Sequence, residues 1–208
     1  MLILLGCVPL PYLLPPSDFS VQIDPVPVVR NIHGSDIAAG PTAIDLRAGL
    51  VPLSVVENLA DRKFDPSIGF VASFRHPSAD ASLDLGGYGR VAWRAWFDGL
   101  GGSNFVAFEP RATIDILAQD VDHRGESVGL GLSLGAALRL GGRCDAGPDG
   151  FCIAGGWNSI GVGWGEWGFA LTVDGGVQGR DTGTEGRILL GLEIRAPAGV
   201  GIVLVPIY

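Results

Sequence analysis

At 208 residues the chain is long enough for one large β domain or two small ones. Only 17% of its residues are charged and 47% are hydrophobic, and its 33 glycines follow no Gly-X-Y period, which excludes a collagen-like chain. A net charge of −8 with no basic block excludes nucleic acid as a partner.

The chain opens on MLILLGC, and no window reaches the ~18 uninterrupted apolar residues of a spanning helix. The longest candidate, Leu2 to Leu14, is broken by Pro9 and Pro11. Leu4-Leu5-Gly6-Cys7 resembles the lipobox of bacterial lipoproteins, and that resemblance implies that Cys7 is the acylated residue. The plainer alternative is an apolar segment with an incidental cysteine. Val8 to Arg30 is rich in proline and reads as an extended strap. The expected organisation is therefore a signal-like segment and strap over residues 1–41 and a β domain over 42–208.

From residue 42 onward one pattern recurs. In PTAIDLRAGL, Ile44, Leu46, Ala48 and Leu50 share a face opposite Asp45, Arg47 and Gly49. Val55 to Arg62 could form one short helical turn. In SIGFVASFR, Ile68, Phe70, Ala72 and Phe74 oppose Ser67, Gly69, Val71, Ser73 and Arg75. In GYGRVAWRAWFD, Val91, Trp93, Ala95 and Phe97 oppose Arg90, Ala92, Arg94, Trp96 and Asp98. In NFVAFEPRATIDIL, Val106 to Ile116 at even positions oppose Ala107, Glu109, Arg111, Thr113 and Asp115. SVGLGLSLGAALRLGG places Val128, Leu130, Leu132, Leu134, Ala136, Leu138 and Leu140 opposite glycines, Ser133 and Arg139. GRILLGLEIRA places Ile188 to Ile194 opposite Arg187, Leu189, Gly191, Glu193 and Arg195. Alternation at period two means strands with unlike faces. The intervening turn-rich segments join them as an antiparallel meander. In GVGWGEWGFALTV the phase shifts at Gly165 and Glu166, consistent with one bulged strand or two strands and a turn.

Cys144 and Cys152 flank CDAGPDGFC. A disulfide across so short a loop is sterically easy and implies an oxidising compartment. Free thiols are the second reading. A calcium site at Asp145 and Asp149 is the third, although the spacing does not match an EF-hand.

The apolar faces carry no charge, whereas the opposite faces mix both signs with Gly, Ala and Ser. Small residues and paired charges suit a confined interior better than a wet surface. A closed barrel with apolar residues outward satisfies both faces and leaves no open edge in a bilayer. Tyr88, Phe97, Phe105, Trp164, Phe169 and Tyr208 fall near strand ends, where an aromatic belt would lie. This pattern resembles small bacterial outer-membrane β-barrels over residues 42 to 208. The resemblance implies an all-β, antiparallel up-and-down barrel of about eight strands, eight to ten in all. It implies an outer-membrane location, or a periplasmic or surface lipoprotein. The terminal aromatic Tyr208 fits that family, whereas Pro206 does not, because proline cannot donate to a ladder.

No HExxH, Gly-x-Ser-x-Gly, Walker or dinucleotide motif occurs. His33, His76 and His123 lie in the strap and in turns, and Asp122-His123 with Ser127 is the one nucleophile-like grouping. The expectation is no enzyme, no catalytic or metal residue and no cofactor. The barrel-interior charges are expected to be Asp45, Arg47, Arg94, Glu109, Arg111, Asp115, Arg139, Glu193 and Arg195, pairing to hold a narrow barrel shut. A wider barrel would use them to line a pore. The expected role is structural, adhesive or in envelope assembly, with the lipid bilayer, other envelope proteins or further copies of the chain as partners. Two alternatives stand beside it: a soluble lipocalin-like barrel or sandwich around an apolar ligand, with the apolar face inward, and a self-assembling envelope subunit.

Overall fold

A computed structural model describes residues 6–25, 28–31, 37–39, 42–55, 63–76, 82–101, 104–119, 127–144, 152–156, 159–180 and 183–207. The strands in chain order are β1 (Gly6–Leu14), β2 (Ser17–Asp24), β3 (Val28–Asn31), β4 (Ile37–Ala39), β5 (Thr42–Leu50), β6 (Phe64–His76), β7 (Ser82–Trp93) and β8 (Trp96–Gly101). They continue as β9 (Asn104–Ala118), β10 (Val128–Arg143), β11 (Cys152–Gly156), β12 (Ser159–Trp164), β13 (Glu166–Arg180), β14 (Gly183–Ala196) and β15 (Ala198–Ile207). A 3-10 turn over Pro52–Val55 is the helical element among the described residues; 56–62 lie outside them. No helix there is long and apolar enough to cross a membrane, which says nothing of a barrel.

Eight strands close a ring in the order β2, β5, β6, β7, β9, β10, β13, β14, with β14 pairing back onto β2. Every neighbour is antiparallel. The paired residues run once round the ring as Asp18, Gly49, Gly69, Tyr88, Asp115, Gly131, Gln178 and Glu185. Extended unchanged from Leu190 opposite Ile23, the β14–β2 register would bring Glu185 level with position 28, a stagger of ten residues from Asp18, and the observed β14–β3 pairing sets Glu185 against Val29, one residue on. Such a stagger tilts the strands, and an eight-stranded barrel is just wide enough for side chains to fill.

The two unlike faces sort by burial. Leu130, Leu132, Leu134, Leu138 and Leu140 on β10 are all exposed, whereas Arg139 between them is 1% exposed. The same inversion holds around the ring: Phe70, Ile114, Leu171 and Leu192 face out. The soluble alternative required the apolar face inward, and this arrangement excludes it.

Three expectations are corrected. Ser17–Asp24 is not strap but a barrel strand. Its SDFSVQID alternates like the others, with Asp18, Ser20, Gln22 and Asp24 buried and Phe19, Val21 and Ile23 exposed. The barrel therefore starts before residue 42. Second, the face assignment flips after Trp93. Ala92 opposes Arg111, but Trp96 opposes Phe108, so four residues span three on β9. This bulge turns Trp96 outward and Phe97 toward the interior. Third, Tyr88 and Phe105 do not belong to an outer belt, being 4% and 1% exposed.

The second sheet has the order β1, β15, β12, β11. It prolongs four adjacent barrel strands past one rim. The β1–β15 register runs into β2–β14 unchanged: Leu14 opposes Gly199 and Ser17 opposes Ala196. Between β12 and β13, Trp164 opposes Ala198 and Gly168 opposes Arg195, again four residues against three. Gly165 makes that bulge with φ of 95°, in the left-handed region glycine favours. Pro206 is tolerated because it lies past the last β12–β15 pair, Ser159 opposite Val203.

Candidate functional site

The interior of the barrel holds the chain's charged chemistry. All nine charges named from the sequence are buried, and each has an ion-pair partner. At the rim that bears the extension, Arg195 joins Asp65 and Glu166, the latter at 3.2 Å. Glu166 also pairs with Arg94 at 3.1 Å, and Arg94 with Glu109 at 3.1 Å. Glu109 takes Arg139 at 3.0 Å. Glu193 then gathers Arg90 at 2.5 Å, Arg139 at 2.5 Å and Arg111 at 3.1 Å. Arg90 reaches Asp18, and Arg111 reaches Asp174, which also accepts from Gln22 Nε2 at 2.5 Å.

A second network fills the other half. Arg47 pairs with Asp115 at 2.8 Å and Asp45 at 3.2 Å. Asp45 takes Arg187 at 2.8 Å, and Arg187 reaches Asp24 at 3.4 Å. Near the opposite rim Arg75 joins Glu185 and Asp84, and Arg180 joins the same two carboxylates. Tyr88 connects the networks. Its ring lies 5.5 Å from the Arg47 guanidinium and 5.9 Å from that of Arg90.

Small side chains make room for these long ones. A Cβ on Gly131 would lie 3.3 Å from the Asp115 Cβ, so the glycine-rich inner face of β10 is the space its neighbours occupy. At the extension rim Phe105 stacks on Phe97 with centroids 5.4 Å apart, and Arg94 lies over both rings at 5.4 and 5.8 Å. A cavity of about 10 Å³ remains between Asp115, Ser133, Gln178 and Arg187, room for about one water. A buried network on this scale is stable only when most of its members are paired.

Sequence reasoning missed Asp18, Asp24, Asp65, Asp84, Glu166, Asp174 and Glu185 as interior carboxylates. Asp18 and Asp24 carried the alternation signal of β2, hidden between prolines. Glu166 sits beside the bulge at Gly165, where the phase is lost.

Outside, a group of exposed aromatics lies at one rim, while Phe70 and Phe74 are exposed farther along β6. Phe64, Trp93, Trp96, Phe108, Trp167 and Phe169 are exposed at the rim that bears the extension. Phe64 opposes Trp93, and Trp96 opposes Phe108. From Leu140 down to Val128 the outer face of β10 is apolar over twelve steps, or ~30 Å at ~3.3 Å per residue and a tilt of ~40°. That matches a hydrocarbon core of ~30 Å.

Cys144 is disulfide-bonded. The side chain of Cys152 lies outside the described residues, as do Asp145, Asp149, His33, Asp122, His123 and Tyr208. Ser127 Oγ donates to Gln119 Oε1 at 3.2 Å. Cys7 lies in β1 opposite Pro206, and residues 1–5 of the lipobox-like stretch are outside the described residues. No group of three His, Cys, Asp or Glu side chains placed to hold a metal occurs among the described residues.

No family model matches the chain, and no curated protein matches it. Among solved structures it is similar to Ail, the attachment invasion locus protein of Yersinia pestis. The identity is 11%, over 88% of this chain and 99% of that one, with a TM-score of 0.39. Ail in complex with the heparin analogue sucrose octasulfate gives 13% identity over 88% and 100% of the two chains, with a TM-score of 0.32. Neisserial surface protein A (NspA) gives 11% over 86% and 96%, with a TM-score of 0.35. Identities and scores this low leave the assignment to the barrel's own geometry.

Proposed function

We propose that this chain is a membrane-spanning β-barrel of a bacterial outer membrane with a closed interior, serving a structural or adhesive role in the envelope. One observation carries the reading: an apolar outer face surrounds an interior of paired arginines and carboxylates. Water would penalise that outer face and lipid would penalise those charges, so only a closed barrel in a bilayer satisfies both. Filled by side chains from both networks, the interior supports a scaffold rather than a conduit. The work of such a barrel is to hold its rim elements at a fixed place on a membrane. Acylation of Cys7 is a separate proposal, tested by the mass of the chain isolated from membranes.

Gel mobility of detergent-extracted protein, unheated against boiled, tests the barrel. Two bands are expected, because closed membrane barrels stay folded in SDS until heated. A single band, with the protein soluble without detergent, would overturn the assignment.

A further inference from the structure

The outward wall of the barrel is not uniform. Between β6 and β9 it sinks to a floor of Gly87, Gly89 and Ala112, with Ile68 and Ile114 standing on either side. A Cβ on Gly89 would meet no atom within 4 Å, so the floor is open outward. This furrow has a volume of about 1130 Å³. A second, of about 820 Å³, continues it farther from the aromatic rim, past Leu46, Ala72 and Leu85. The two meet at Phe19, Ala48 and Phe70, and Phe70 is 78% exposed. From Val91 in the first to Leu85 in the second the path falls ~15 Å, at ~3.3 Å per residue and a tilt of ~40°. That is half of a ~30 Å hydrocarbon core, the depth of one leaflet.

The rim end of the furrow carries a charge. Lys63 is the only lysine in the chain. It is exposed and makes no ion pair among the described residues. Its carbonyl accepts the Arg94 N–H at 2.9 Å, one residue above the Phe64–Trp93 pair. Lys63 therefore stands at the aromatic level, where lipid headgroups begin, three residues along the chain from Pro66 at the mouth of the furrow.

We propose that the furrow binds one anionic phospholipid, with an acyl chain along Gly89 and Gly87 and the phosphate against the Lys63 ammonium. The inference rests on the membrane-barrel reading above and gives that wall a preferred lipid. A chain in a furrow touches protein on its floor and both sides, whereas a chain beside a flat wall touches it on one, so dispersion favours the seated chain. The rim charge selects the headgroup, because an ammonium is drawn to a net negative lipid more than to a zwitterion. A second copy fits less well. Related by an axis along the membrane normal, it would set its own Lys63 at the same height, cation beside cation.

The test incubates the detergent-extracted full chain with phosphatidylglycerol or phosphatidylcholine and counts retained lipids by native mass spectrometry. One phosphatidylglycerol per chain is expected, held about tenfold better than phosphatidylcholine. Lys63→Gln is expected to erase that preference, and Gly89→Leu, which fills the floor, to lower retention of both lipids about tenfold. Gly175→Leu, on an outward glycine of β13 with equally open space, is expected to change nothing. Equal retention of the two lipids by the parent chain overturns the proposal. So does indifference to Gly89→Leu, and so does a two-chain species lost on that substitution, which marks a second copy as the occupant. Heat-dependent gel mobility of the same samples separates the two levels: a lost shift in the parent chain sinks the barrel reading, and a retained shift without bound lipid sinks this proposal only.

Discussion

Tyr88 donates its hydroxyl proton to Asp18 Oδ1 at 2.8 Å, and this bond ties β7 to β2 across the barrel interior. The two strands are not neighbours in the ring. The same ring is flanked by Arg47 and Arg90, so one side chain touches both ion-pair networks.

Tyr88→Phe keeps the ring and removes that donor. The Asp18 oxygen stays buried, and the expected loss of stability is ~1–3 kcal/mol. Urea unfolding of the chain refolded in lipid vesicles measures it. An unchanged midpoint would mean that the hydroxyl adds nothing.

Glu193 receives three arginines at 3.1 Å or less. Glu193→Gln keeps the shape and removes the charge, leaving those guanidinium groups short of a counter-charge. The expected loss is ~3–5 kcal/mol, the usual cost of breaking a buried pair from one side. Arg180→Gln, at the edge of the other network, should lose less, because Arg180 is more exposed. Equal losses in the same unfolding series would contradict the ranking.

Leu132 faces outward at mid-strand, 51% exposed. Leu132→Arg should destabilise the barrel in a bilayer by ~2–4 kcal/mol. Ser133→Ala, one residue on and facing in, should insert normally. Normal insertion of the arginine variant would remove lipid from that face.

In planar lipid bilayers the parent chain is expected to show no steady single-channel steps. Arg111→Leu removes a side chain that bridges Glu193 and Asp174 and should make the interior noisier. Regular steps from the parent chain would make it a pore.

Peptide mapping without reductant should recover a single linked species joining the segments around Cys144 and Cys152, because the loop between them is short. Linkage of Cys144 to Cys7 instead would reassign the bridge and tie the loop to β1.

The strands were legible where alternation ran unbroken, as in β10, where Val128 to Leu140 announced one face and Arg139 the other. It failed at three kinds of place. Prolines on either side masked β2, since composition outweighed a short period. A single extra residue after Trp93 reversed the phase, and the alternation before it gives no sign of the bulge, which is seen only in the pairing with β9. Tyr88 looked like a belt residue because an aromatic near a strand end has the same spacing whichever way it faces. The interior charges could be nominated by face but not matched, since Arg111 and Asp174 are 63 residues apart and meet only after the ring closes.

Where barrel becomes extension, the chain changes character at nearly one height: Pro15 and Pro16 before β2, Gly165 before β13 and Pro197 before β15. Each is a residue that loosens or interrupts a ladder. The molecule is thus partitioned like a tool with a handle and a blade. Substitutions above the seam escape the demand that interior charges match, and those below it escape whatever the blade must meet. The two parts can drift at different rates, and a transplanted blade would find a ready socket on any ring with the same stagger.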